Sequence, residues 1–221
     1  MNELKVSEIP ESKKSDAENY RDIRPENGMS VKAARDYWDS KFGKSEEPEH
    51  NENRRQEIVD GKVCYYDDNG KLYRTDKDLV SNCEYTINGY DYTTDDMGRI
   101  VSAEGKLRLK EHSGRKQIRD SLQDVGKGDE LPTDNRGHLI GDRFDGSNGL
   151  ENLIPQDAKE NLNFSKLENQ LAVEVGKGND VKVEIKPFYD GESRRPIAIG
   201  VTYSINGEQS IRIFPNPNRK E

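Results

Sequence analysis

The sequence predicts an α+β domain with an antiparallel sheet and one long helix, preceded by a flexible N-terminal arm. Asn-Gly pairs at 69–70 and 88–89 each separate two short segments of β-forming residues, which is the strongest local signal of a hairpin. Residues 158–175 carry apolar side chains at helical spacing, and strands of alternating polarity follow them. Strands, then a helix, then strands again are typical of an α+β domain.

The predicted elements follow one another along a folded domain that we place at residues 58–221. They are two hairpins, a further strand, a short helix, the long helix and three strands, at 62–74, 85–94, 98–110, 114–124, 158–175, 180–189, 196–205 and 208–216. The apolar side of the long helix is predicted to consist of Leu162, Leu167, Leu171 and Val175. Gly176 is the expected stop signal of this helix.

Residues 1–57 are predicted to be an arm outside this domain. Residues 1–29 have almost no apolar side chains, which favours a flexible chain. Ser30 is a suitable N-cap for one helix over about residues 30–42, with an apolar stripe that includes Trp38. A highly charged linker follows this helix.

Composition and charge limit the class of protein. Only 30% of the 221 residues are hydrophobic and the mean hydropathy is −1.10, which suits one modest core and no membrane span. The N-terminus lacks the apolar segment of a signal peptide, so we expect any export to use another route or a segment that is missing from this sequence. The net charge of −8 argues against binding nucleic acid by bulk electrostatics.

One basic stretch is an exception to the acidic balance. Residues 106–119 carry six basic side chains against Glu111 alone. The stretch is either a solvated face or part of a phosphate-binding surface. On the second interpretation, the substrate-binding candidates are Lys106, Arg108, Lys110 and, further along the chain, Arg143.

Cys64 and Cys83 leave two possibilities open. Their spacing matches no zinc finger. They could form a disulfide in an oxidising compartment or remain as two thiols.

The best candidate for chemistry is the segment around His138. A single histidine is more often structural than catalytic, so its surroundings must support a function. Arg136 lies on the same face of an extended strand as His138, and Gly137 between them allows a phosphate to approach closely. The long helix then supplies amide and carboxylate side chains: Asn161, Asn163 and Glu168.

These residues resemble a known family. The run Arg136-Gly137-His138, the segment "NLIPQ" at 152–156 and the helix with Asn161 and "LEN" at 167–169 are similar to the DNA/RNA non-specific endonucleases with a ββα-metal (His-Me) finger. More narrowly, four segments look like the C-terminal nuclease domains of bacterial polymorphic and contact-dependent toxins: "YTTDDMGRIVSAEGKL", "RGHLIGDRF", "GLENLIPQDA" and "RIFPN". The resemblance covers roughly residues 58–216 and implies a ββα-metal finger core.

The resemblance also implies roles for the site residues. His138 would be the general base, and an imidazole with an unperturbed pKa near about 6.5 suits that task at neutral pH. Arg136 would stabilise negative charge on the scissile phosphate, and Glu168 would accept hydrogen bonds from metal-bound water. The family holds one Mg²⁺, with Mn²⁺ as an alternative, through a helical asparagine and several waters.

The identity of the metal-binding asparagine is left open. The family spacing after Pro155 points to Asn161, which also shares a helix face with Glu168. The segment before Phe164 is one residue shorter than in the family, so the register could instead favour Asn163. Two other departures are Asn135 in place of the usual aspartate and Ala172 where some relatives have arginine.

The predicted function is a metal-dependent, sequence-non-specific endonuclease that hydrolyses phosphodiester bonds in DNA, with RNA as a second candidate substrate. The resemblance implies an antibacterial toxin or secreted nuclease, delivered into a target cell and inhibited by a cognate immunity protein. The alternative is a non-catalytic nucleic-acid-binding or interaction module that retains the finger fold. An HNH-type metal site ranks low because His50 and His112 lack the required helical spacing.

Overall fold

The computed structural model describes residues 56–111 and 117–218. The predicted arm helix at about 30–42 and the charged linker up to residue 55 lie outside the described residues, and so do Arg115 and Lys116 of the basic stretch. The proposed domain boundary at residue 58 therefore stays a prediction.

The described residues form twelve strands and two α-helices. The strands are β1 (Gln56–Val59), β2 (Lys62–Tyr66), β3 (Leu72–Thr75), β4 (Asp78–Leu79), β5 (Glu84–Ile87), β6 (Tyr90–Thr94), β7 (Ile100–Lys106), β8 (Asp134–His138), β9 (Leu153–Asp157), β10 (Val181–Phe188), β11 (Ala198–Ile205) and β12 (Glu208–Pro215). The helices are α1 (Leu122–Gly126) and α2 (Ala158–Gly176). Short 3₁₀ turns occur at Asp142–Phe144 and Leu150–Asn152.

The strands form three antiparallel sheets. A small sheet has the order β1-β2-β3-β4, a six-stranded sheet has the order β12-β11-β10-β7-β6-β5, and β8 and β9 form a two-stranded sheet. The predicted α+β class with antiparallel sheets is confirmed.

Tight turns set the register of the hairpins. Asn88 and Gly89 both have positive φ, as a two-residue type I′ turn requires, so Ile87 faces Tyr90 across the β5–β6 pair. Asn206 and Gly207 join β11 to β12 in the same way. The predicted hairpin over 62–74 is also present as β2 and β3, with an irregularity in register between Tyr65 and Tyr66.

The long helix is confirmed, but its predicted apolar side is partly wrong. Leu167 and Leu171 are buried as expected, whereas Leu162 is 60% exposed and Phe164 is buried instead. At about 100° per residue, Leu162 lies roughly opposite Leu171 on the helix, so it cannot share its face. The predicted short helix at 114–124 is also displaced, because the helix begins at Leu122 after the Ser121 capping box.

The main hydrophobic core joins the six-stranded sheet, α2 and the segment that follows His138. Leu139 and Ile140 are almost completely buried in this core. Burying such a side chain stabilises the fold by about 1.5–3 kcal/mol relative to exposure. The chain immediately after His138 is therefore held in place by packing.

Two further expectations concern the cysteines and the membrane. Cys64 and Cys83 are buried free thiols, so the structure contains no bridge between them.

Within 56–111 and 117–218, the structure has no helix with the length and apolar content to cross a bilayer.

Candidate active site

The candidate site is built on the two-stranded β8–β9 sheet and on α2. His138 is the last residue of β8 and pairs with Leu153, while Asp134 pairs with Asp157 at the other end. The side chain of Asp157 caps α2 by accepting hydrogen bonds from the main-chain N–H groups of Lys159 and Glu160. The helix therefore begins at the end of the two-stranded sheet that lies farthest from His138.

The position of Glu168 shows that the middle of α2 lies close to the chain segment that follows His138. A methyl group on Gly141, three residues after His138, would overlap the Glu168 carboxylate. The glycine thus allows the carboxylate to lie directly against the main chain of the histidine segment. His138 and the middle of α2 belong to the same region of the molecule.

The imidazole of His138 has a defined partner in Asn148. Its Nε2 atom lies 2.5 Å from Asn148 Oδ1. The Nδ2 atom of Asn148 donates to Asp142 Oδ1 at 3.3 Å, and Lys110 Nζ forms an ion pair with Asp142 Oδ2 at 2.5 Å. Because an ionised carboxylate only accepts, the amide nitrogen faces Asp142 and the amide oxygen faces the histidine. An amide oxygen in this position accepts a hydrogen bond from a ring that carries its hydrogen at Nε2.

Asn152 holds the loop that carries Asn148. Its fully buried side chain accepts from Ile140 N at 2.9 Å and donates to the carbonyl groups of Ile140 and Ser147, each at 2.7 Å. Each of these hydrogen bonds contributes about 0.5–1.5 kcal/mol. The segment between His138 and β9 is thus a closed and internally bonded loop.

Arg136 lies on β8 two residues before His138. The side chain is half-buried, and its Nη1 atom donates to Asp120 O at 2.9 Å and to Ile118 O at 3.5 Å. A guanidinium carries five N–H donors, so these contacts through Nη1 leave capacity for an anionic group.

The two candidate asparagines lie on different sides of α2. Asn161 and Glu168 are about 20° apart around the helix, whereas Asn163 and Glu168 are about 140° apart. Asn163 donates to Glu160 Oε2 and accepts from Lys166 Nζ, each at 3.1 Å. Asn161 therefore faces the same side as the carboxylate that contacts Gly141.

The predicted substrate-binding cations all have protein partners. Lys106 pairs with Asp180 at 2.6 Å, and Arg108 pairs with Asp145 at 2.9 Å while lying over the ring of Tyr90. Lys110 contacts Asp142, and Arg143 donates to Asn169 Oδ1. Contact of these four residues with phosphate remains a prediction.

Gln156 is a site candidate to which the sequence analysis assigned no role. Its side chain is 1% exposed, and neither amide atom has a hydrogen-bond partner among the described residues. A methyl group on Gly137 would overlap this amide, so it lies against the main chain next to His138. Leaving a buried amide without partners costs about 1–3 kcal/mol per group, so the position suits an additional polar species such as a hydrated cation.

The main chain on either side of Gln156 is fixed by Asn216. This side chain accepts from Asp157 N at 2.7 Å and donates to Pro155 O at 3.0 Å. Asn216 belongs to the quoted segment "RIFPN" and Gln156 to "NLIPQ", so the sequence contained a signal for both. Asn148 gave no such signal.

The chain belongs to the DNA/RNA non-specific endonuclease family. The family model matches residues 81–207, which is more than half of the chain and includes β8, β9 and α2. Membership supports a nuclease, and thus a hydrolase, activity. The resemblance seen in the sequence is confirmed at this level.

Named relatives are found in Staphylococcus aureus. The type VII secretion system protein EssD of strains USA300 and NCTC 8325 is 36% identical over 149 residues, and the version in strain Newman is equally similar. The match covers 63% of this chain and 24% of each relative, so it spans about a quarter of their length.

Proposed function

We propose that this chain is a metal-dependent, sequence-non-specific endonuclease that hydrolyses phosphodiester bonds in DNA, with RNA as a second substrate. The observation that carries the proposal is the joint placement of two groups. The ring of His138 is oriented by Asn148, and the Glu168 carboxylate of α2 lies against Gly141 of the same segment. In this proposal β8, β9 and α2 are the ββα-metal finger.

His138 is the general base of the proposed reaction. With the ring hydrogen held at Nε2 by Asn148, Nδ1 accepts a proton from the attacking water. The water oxygen forms a bond to phosphorus while the bond from phosphorus to the 3′ oxygen breaks. The 3′ oxygen takes a proton from solvent water, so the products have 5′-phosphate and 3′-hydroxyl ends. Arg136 stabilises the charge that builds up on the phosphate oxygens.

The proposed cofactor is Mg²⁺, with Mn²⁺ as an alternative. Asn161 would hold it through its amide oxygen, and the side chains of Glu168 and Gln156 suit contacts with its water ligands. The described ranges contain no cluster of three or more His, Cys, Asp or Glu side chains with metal-binding geometry. The ligands that we propose are the amide oxygen and water. When bound, the ion supplies neutralisation of the phosphate and of the leaving oxygen.

Asn161 is preferred over Asn163 on two grounds. Asn161 shares the Glu168 side of the helix, and Asn163 is already bonded to Glu160 and Lys166. A neutral amide also leaves the full charge of the ion directed at the phosphate.

The biological role that we propose is an antibacterial toxin or secreted nuclease that is delivered into a target cell. Similarity to proteins named for type VII secretion supports this role. A nuclease of this kind would damage the cell that makes it, so we also propose a cognate immunity protein that covers the site. Growth of a bacterium that expresses the active chain alone, compared with the His138→Ala variant, tests the toxicity.

The function is tested with supercoiled plasmid DNA and with RNA, each incubated with Mg²⁺, Mn²⁺ or a chelator. The wild-type chain should nick and linearise the plasmid with a divalent ion and should be inactive with chelator. A non-catalytic binding module would retard the DNA on a gel and leave its topology unchanged, which would overturn the proposal.

A further inference from the structure

Asp120 is a buried carboxylate at the centre of a charged cluster. It is 4% exposed, and Arg74 contacts it through both terminal nitrogens, with Nη1 3.0 Å from Oδ2 and Nη2 2.9 Å from Oδ1. Lys77 Nζ lies 2.7 Å from Oδ1. Arg74 comes from β3 and Lys77 follows it, so Asp120 joins the small sheet to the rest of the domain.

The same residue contacts both halves of the candidate site. Its Oδ2 atom accepts from Leu150 N at 3.1 Å, and Leu150 follows the loop that carries Asn148. Its main-chain oxygen accepts from Arg136 Nη1 at 2.9 Å. One residue is thus bonded to the side chain proposed to bind phosphate and to the loop that orients His138.

Two other groups contact Arg74 of this cluster, and one of them, Glu151, also bonds to the loop. Glu151 is fully buried, with Oε2 3.7 Å from Arg74 Nη1, and it accepts a hydrogen bond from Ser147 Oγ. The ring of Tyr65 lies 4.5 Å below the Arg74 guanidinium. Because Asp120 and Glu151 face the same arginine, loss of one carboxylate changes the electrostatic environment of the whole loop.

We infer that Asp120 is a positioning residue of the nuclease reaction, which sets Arg136 and the Asn148 loop in place relative to His138. The inference rests on the proposed function. Asp120 itself is held away from solvent by Arg74 and Lys77, so it acts through the groups that it positions. Misplacement of a catalytic group by about 1 Å can cost on the order of 100-fold in rate, so loosening this contact should be visible in kcat.

The test begins with Asp120→Asn, which keeps the shape of the side chain and removes its charge. The thermal midpoint of each variant is measured first, and plasmid cleavage is then measured at a temperature below all of these midpoints. We expect kcat to fall by on the order of 10-fold or more, with KM changed by less than about 3-fold, because Arg136 acts on the transition state. Asp95→Asn removes a comparable carboxylate that pairs with Arg99 Nε at 2.7 Å in the β6–β7 turn, and it should leave kcat nearly unchanged.

A double-mutant cycle separates positioning from general weakening of the fold. If Asp120 acts through Arg136, Asp120→Asn should reduce kcat by a clearly smaller factor in an Arg136→Ala background than in the wild type. The same cycle with Asn148→Ala tests the loop. Equal factors in the wild type and in both variant backgrounds would overturn the inference, and so would a wild-type kcat for Asp120→Asn. Should Asp120→Asn not fold, Arg74→Lys keeps the charge, loses the two-point contact and enters the same cycle.

Failure of the positioning role of Asp120 gives a different result from failure of the proposed nuclease function. A wild-type chain that does not cleave, or an active His138→Ala variant, would refute the function itself. Cleavage that requires His138 but is unaffected by Asp120→Asn would refute only the positioning role.

Discussion

The Nε2 atom of His138 lies 2.5 Å from the Oδ1 atom of Asn148, and the amide nitrogen of Asn148 in turn faces Asp142. This order of donors and acceptors determines which ring nitrogen can receive a proton. A base that is held in one tautomer is ready for reaction, whereas a freely rotating imidazole spends part of its time in unproductive orientations.

Asn148→Ala should lower kcat by about 10- to 100-fold, because the orientation and tautomer of His138 would no longer be fixed. The measurement is steady-state cleavage of plasmid DNA, with circular dichroism as a check on folding. Asn179→Ala, just beyond the C-terminal end of α2, removes an amide that contacts Glu174 and Asn206 and should have little effect on kcat. Equal activity of Asn148→Ala and the wild type would contradict the proposed orientation of the base.

The two asparagines of α2 should respond differently to substitution. Asn161→Ala is expected to raise the Mg²⁺ concentration required for half-maximal activity by at least about 10-fold, because it removes the proposed protein ligand. Asn163→Ala should change that concentration by less than about 3-fold, since its amide bonds with Glu160 and Lys166. A titration of cleavage rate against Mg²⁺ decides between them, and the reverse order would assign the ligand to Asn163.

Glu168→Gln should also weaken the response to Mg²⁺, by about 10- to 100-fold in the required concentration. The amide keeps the size of the side chain but loses the charge that attracts metal-bound water. Glu174→Gln is the matched control on the same helix. If Glu168→Gln and Glu174→Gln both require the same Mg²⁺ concentration as the wild type, Glu168 does not act on the metal.

The Asp120 cluster should make the free energy of unfolding depend on pH in the acidic range. Burial alone would raise the pKa of Asp120, but hydrogen bonds from Arg74 and Lys77 outweigh burial and hold the pKa below its ordinary value. A carboxylate of this kind contributes its full stability above the ordinary aspartate pKa of about 3.9 and loses it as the pH falls through the lower folded value.

Asp120→Asn should therefore reduce the free energy of unfolding at pH 7 by about 3–5 kcal/mol, with a smaller difference from the wild type at about pH 3. Urea unfolding at both pH values measures the two differences. A difference that stays the same at both pH values would show that the charge of Asp120 does not stabilise the fold.

The corrected face of α2 makes a simple stability prediction. Leu171→Ala should cost about 2–5 kcal/mol because it leaves a cavity in the core. Leu162→Ala should change stability by no more than about 0.5 kcal/mol because the side chain is largely exposed. Chemical denaturation of the two variants measures both values, and a large cost at Leu162 would contradict the assigned orientation of the helix.

The sequence predicted a turn or helix correctly where neighbouring residues alone determine it. The Asn88-Gly89 turn and the start of α2 depend on neighbouring residues, and both were predicted correctly. Gly176, the predicted stop signal, is instead the last residue of the helix, and Lys177 is its C-cap. The apolar side of α2 was predicted less accurately. Leu162 and Phe164 lie within one turn of the helix, and packing against the rest of the domain determines which of the two is buried.

The supporting residues of the site could not be predicted in this way. Asp120 meets Arg74 across 46 positions of sequence, and Asn148 meets His138 across a loop with no periodic pattern. Such contacts depend on the tertiary fold. The resemblance pointed to His138, Arg136 and Glu168, while the structure added the groups that orient them.

The most direct test of the account is chemical rescue of a variant that lacks the imidazole. His138→Gly should cleave plasmid DNA about 10²- to 10⁴-fold more slowly than the wild type at saturating Mg²⁺, as expected for loss of a general base. Added imidazole should restore part of that rate in proportion to its neutral form, while Asn161→Ala should gain nothing from imidazole. Undiminished cleavage by His138→Gly would contradict the claim that this ring accepts the proton from water.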